Sequence, residues 1–69
     1  MACKILVGSD DSREYAVFVD SVTETTFGPL MEDKAEAEEF MKYLTIDPRN
    51  YTTVQLIKLL DEFRSMKDG

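Results

Sequence analysis

The spacing of apolar residues changes period near residue 32, and no other feature constrains the fold as much. Before it come short apolar runs rich in β-branched and aromatic residues: Cys3 to Val7, Tyr15 to Val19 and Ser21 to Phe27. Beyond it, apolar residues recur at the three- and four-residue steps of a helix. Ala37, Phe40, Met41 and Leu44 form one such stripe, and Leu56, Leu59, Leu60, Phe63 and Met66 form a second. Ahead of each stripe stands a capping signature, Asp33 with Glu36 and Thr52 with Gln55. Side chains at that separation satisfy amides left unbonded in the first turn of a helix. Together the signals predict strands at about 3–7, 15–19 and 21–27 and helices at about 34–44 and 53–66. A β-β-β-α-α order predicts one α+β domain over residues 1–69, with a small three-stranded antiparallel sheet and two helices on one face. Strand order stays open at this level.

The connecting segments carry their own expectations. Gly8-Ser9-Asp10-Asp11-Ser12 reads as a longish hairpin loop, and Gly28-Pro29 as the end of the third strand. Weak apolar content places that third strand at a sheet edge. Asp47-Pro48-Arg49-Asn50 separates the helices, since a residue before proline is biased away from helical angles. Tyr51 is expected to staple against Leu56, and Tyr43 to lie half-buried at the margin of the first stripe. Val54 and Ile57 fall outside the inward stripe of the second helix. A helix that touches both a sheet and a neighbouring helix needs two apolar faces, so this flank is expected to pack on the first helix. The alternative is a partner-binding or dimerisation strip.

Catalytic and cofactor chemistry finds little support in the residues. A fold of 69 residues buries only about 60% of its unfolded surface, so a desolvated cleft is expected only where subunits meet. The chain has no histidine and one cysteine, a poor basis for zinc. Asp10, Asp11 and Glu14 lack the alternating spacing of a calcium loop. Cys3 has no imidazole to act as base, and Lys4 falls on the opposite sheet face, so a packed, inert thiol is expected. No glycine pattern for cradling phosphates occurs. Carboxylates in a turn or on a solvated helix face lack the desolvation that would raise a pKa toward neutrality. No catalytic, cofactor-binding or metal-binding residue is therefore expected.

Fourteen acids against eight bases give a formal charge of −6. Glu32, Glu36, Glu38 and Glu39 concentrate near the start of the first helix, where the helix dipole favours them. The bases are scattered, which disfavours direct binding to nucleic acid or to an anionic membrane. No apolar run is long enough to cross a bilayer, and the N-terminus lacks a signal-peptide pattern, so a cytoplasmic location is expected. The resulting reading is a small acidic protein-interaction module: an accessory, adaptor or inhibitory subunit without catalytic activity of its own. Its expected contact surfaces are Glu32, Glu36, Glu38 and Glu39, the Val54/Ile57 flank and an exposed sheet edge. Pairing of that edge with a symmetry mate would make a homodimer. An alternative is an acidic inhibitor or nucleic-acid mimic filling the basic groove of a nucleic-acid-binding protein. A third is an enzyme formed only at a subunit interface.

Overall fold

A tight turn begins the fold where a longer loop was expected. The computed structural model describes residues 3–68. In it, β1 (Cys3–Asp10) and β2 (Arg13–Asp20) pair antiparallel along their full length, with Cys3 opposite Asp20 and Asp10 opposite Arg13. Only Asp11 and Ser12 lie outside the ladder, with φ of 47° and 70°. Two successive left-handed residues match a type I′ turn, whose twist continues that of the strands. Gly8 is accordingly a strand residue. The Tyr15 ring lies across it, so that a Cβ at Gly8 would come within 2.5 Å of the Tyr15 Cζ.

The third strand also moves along the chain. Ser21 to Glu24 form a turn in which the Val22 amide donates to Asp20 Oδ1 at 2.9 Å and the Glu24 amide to the Asp20 carbonyl at 2.7 Å. Local capping by an Asp side chain outweighs the β-propensity of this segment. β3 (Thr25–Met31) then runs through Gly28-Pro29 instead of ending there. Phe27 pairs with Phe18 and Met31 with Ala16, leaving Gly28, Pro29 and Leu30 bulged opposite Val17. Gly28 adopts φ of 80°, and a Cβ there would lie 3.0 Å from Leu56 Cδ1 of the second helix. A glycine is needed both for the backbone angle and for the close approach. The sheet order is β1-β2-β3, which puts the third strand at an edge as expected.

Both predicted capping signatures form. Asp33 Oδ1 accepts from the Glu36 amide at 2.8 Å and opens α1 (Lys34–Tyr43). Thr52 and Gln55 bond reciprocally, at 2.8 and 3.1 Å, and open α2 (Thr53–Asp68). A 3-10 turn at Pro48–Asn50, capped by Asp47, separates the helices. Leu44 caps α1 rather than extending it, its amide donating to the Phe40 carbonyl at 3.0 Å. None of the helices is long and apolar enough to cross a membrane, among the described residues.

Alternation along the strands sends Cys3, Ile5, Ala16, Phe18, Phe27 and Met31 toward the helices. There they meet Ala37, Phe40, Leu44, Leu56, Leu60 and Phe63 in one core. Phe40 stacks on Phe18 at 6.0 Å between ring centroids and meets Phe63 at 5.6 Å. Tyr43 and Tyr51 are partly buried against this core, as the sequence suggests. Met66 is exposed, so the inward stripe of α2 ends at Phe63.

The left-handed positions make opposite predictions. Ser12→Gly removes the steric cost of φ near 70° and should stabilise the protein by roughly 0.5–1 kcal/mol. Gly28→Ala should destabilise it by about 1–2 kcal/mol, through the backbone angle and the Leu56 contact. Urea denaturation of the two variants measures both signs.

Candidate interaction surface

Glu32, Glu36, Glu38 and Glu39 do lie together around α1, but three of them are already engaged within the chain. Arg64 of α2 grips Glu36 with two donors, its Nη2 at 2.8 Å from Oε1 and its Nε at 3.2 Å from Oε2. The Glu32 amide donates to the same Glu36 carboxylate at 3.0 Å. Lys67 Nζ lies 2.6 Å from Glu39 Oε2 and 5.5 Å from the centre of the Phe63 ring. Glu38 faces Lys34 at 3.9 Å. The hydrogen bonds from Arg64 hold the Glu36 carboxyl below its ordinary value of 4.5. Bidentate pairing of this kind fixes geometry as well as charge. The acidic segment thus works first as an electrostatic clasp between α1 and α2.

The Val54/Ile57 flank is not covered by α1. Val54 is 64% exposed and Ile57 48% exposed. The expectation of helix packing there fails because α2 seats mainly on the sheet, with Leu56, Leu60 and Phe63 turned inward. Its link to α1 runs through Phe63 and Arg64, a turn or more beyond Ile57.

Cys3 is buried, and burial pushes its thiol above the ordinary range, with Asp47 adding to the shift. A raised thiol pKa suits packing rather than attack on a substrate. Among the described residues, no three Asp, Glu, Cys or His side chains gather as a metal site would need.

A further surface lies on the side of the sheet that the helices leave open. Lys4, Leu6, Gly8 and Asp10 of β1 align there with Val19, Val17, Tyr15 and Arg13 of β2. Thr26 and Leu30 of β3 complete it. Leu6, Tyr15, Val17 and Leu30 line a shallow groove there together with the polar Ser9, Asp10 and Thr26. Val17 and Val19 are buried by their neighbours, while Leu6 stands 48% and Leu30 64% exposed. Acids frame it: Asp10, Glu14 and Glu32 border one end and Glu24 the other, with Arg13 and Lys4 among them. The signal for this face was present in the sequence. Uninterrupted apolar runs at Ile5-Leu6-Val7 and Tyr15 to Val19 supply both faces of a sheet, whereas a sheet with one solvated face alternates.

The Glu36–Arg64 clasp makes a pH-dependent prediction. Because the folded-state pKa is depressed, its contribution is present above the ordinary value and is lost as pH falls through the folded value. Glu36→Gln should cost about 1 kcal/mol at neutral pH, the solvent-facing side of Arg64 limiting the effect. The gap between wild type and variant should narrow as pH falls under the ordinary carboxyl value and close once Glu36 is protonated in the folded protein, which denaturation curves collected across acid pH would show.

Comparison of the chain with protein-family models, with curated proteins and with solved structures returns no match.

Proposed function

We propose that this chain is a small acidic protein-interaction module of the cytoplasm, an accessory, adaptor or inhibitory subunit that works by contact rather than by chemistry. The observation that carries the reading is the open sheet face, where exposed Leu6 and Leu30 flank a groove of mixed apolar and polar lining. Single exposed leucines are ordinary on protein surfaces, but apolar side chains gathered within a polar rim are the pattern of a contact site. Its rim selects the occupant. Asp10, Glu14, Glu24 and Glu32 outnumber Arg13 and Lys4 around the groove, which favours a partner presenting apolar side chains within a basic frame.

The nucleic-acid-mimic alternative draws less support. Mimicry needs carboxylates free to meet basic residues of another protein, and Glu36 and Glu39 are bonded to Arg64 and Lys67. The Val54/Ile57 flank remains a second apolar surface and serves as the internal comparison.

A photo-crosslinking residue placed at position 30 should trap a partner in the native host, whose identity mass spectrometry gives. Titration of that purified partner then tests the surface. Leu6→Lys with Leu30→Lys should weaken binding at least about tenfold with the fold intact by circular dichroism, while Val54→Ser with Ile57→Ser should not. Undiminished affinity in the sheet-face variant would overturn the reading. Affinity that falls by orders of magnitude between about 50 and 200 mM salt would favour the mimic instead.

A further inference from the structure

The two edges of the sheet are built differently. β3 carries Pro29, which has no amide to donate, and a bulge at Gly28 to Leu30. Both features blunt an edge against pairing with another strand. β1 has neither. It is eight residues long, pairs with β2 without a register shift, and is apolar through Ile5, Leu6 and Val7. Leu6 is 48% exposed and Val7 44% exposed.

The turn fixes which backbone groups β1 leaves free. A two-residue type I′ turn closes on a hydrogen-bonded pair, which makes Asp10 and Arg13 such a pair. Such pairs alternate along an antiparallel ladder. Lys4, Leu6, Gly8 and Asp10 therefore bond toward β2, and Ile5, Val7 and Ser9 direct their amides and carbonyls outward.

We propose that β1 is a homodimerisation edge, pairing antiparallel with β1 of a second copy about Val7 so that each Lys4 lies opposite the other copy's Asp10. Lys4 and Asp10 stand equally far from Val7 on opposite sides, and both project from the open face. Neither is engaged in an ion pair among the described residues. In this register Leu6 faces Gly8 of the second copy and meets the Tyr15 ring that lies across that glycine. Registers displaced by two residues leave the charges unmatched, and those displaced by one turn the open face of one copy toward the helix face of the other. Two symmetric ion pairs also offset, at the seam, the repulsion between chains of formal charge −6. The product is a six-stranded sheet with all helices on one side and the two open faces continuous on the other. It rests on the contact role proposed above and extends it, because one dimer then offers a doubled apolar face. A single strand pair buries less than the roughly 800 Å² per partner of a standard interface, so the dimer dissociates on dilution.

Sedimentation velocity over a dilution series of the purified chain tests this directly. Wild type should shift from monomer to dimer with concentration. Lys4→Glu and Asp10→Lys should each weaken the dimer about tenfold or more, and the double reversal should restore it. Val7→Pro, which removes only an outward amide, should abolish dimerisation while leaving the β2 ladder bonded. Monomer at every concentration overturns the inference, as does a dimer that tolerates both single reversals. A dimer broken by Leu30→Lys but not by the β1 variants would show that the open faces meet instead, which also overturns it. Partner binding that survives in Val7→Pro separates this inference from the contact role itself.

Discussion

The stacking of Phe40 on Phe18 is the contact on which the rest of the molecule depends. Phe18 lies on the central strand between Ile5 of β1 and Phe27 of β3, and Phe40 is the inward anchor of α1. Both rings are fully buried, and Phe27, Tyr43 and Phe63 extend the seam across the sheet and into α2. Aromatic pairs of this kind contribute about 0.5–1.5 kcal/mol each beyond the area they bury. In so small a chain, one such seam is the main source of stability, and there is enough apolar material for only one. The helices therefore seal one side of the sheet, and the other side is left to Val17, Val19 and the residues around them.

That one-sidedness gives the acidic segment its place. Glu36 and Glu39 hold Arg64 and Lys67 of α2 against α1, closing the clasp where Phe63 enters the core. Charge in this segment docks one helix on the other. Leu6 and Leu30, on the side of the sheet away from the helices, stay at the surface. Acids of α1 thus bond within the chain while leucines of the sheet stay exposed, which reverses the emphasis that composition alone suggests.

Much of the architecture was legible because its signals are local. Capping pairs at Asp33/Glu36 and Thr52/Gln55 act within one turn, and helical stripes depend only on spacing. The misread segments are those where a turn competes with strand propensity. Asp11-Ser12 makes a type I′ turn without glycine, so Gly8 attracted a turn assignment that belonged further on. Asp20 captures the amide of Val22 and delays β3 to Thr25. Gly28-Pro29, a strong punctuation mark in sequence, is here a bulge imposed by the approach of Leu56. The Arg64–Glu36 pair joins residues far apart in the chain, and no periodicity could announce it. The apolar character of the open face was signalled by the uninterrupted runs in β1 and β2, but those runs do not say which side a helix will cover.

On the proposed reading the helix-free face and the β1 edge are open for contact, and residue-resolved amide exchange along β1, followed across a dilution series, distinguishes an open edge from a covered one. In dilute solution Leu6 and Gly8 should be protected while Ile5, Val7 and Ser9 exchange freely, because only the former bond to β2. At high concentration Ile5, Val7 and Ser9 should gain protection, with the bulged edge of β3 unchanged. Protection of all five amides in the dilute monomer would mean that the edge is already covered within the chain, and the account would fail.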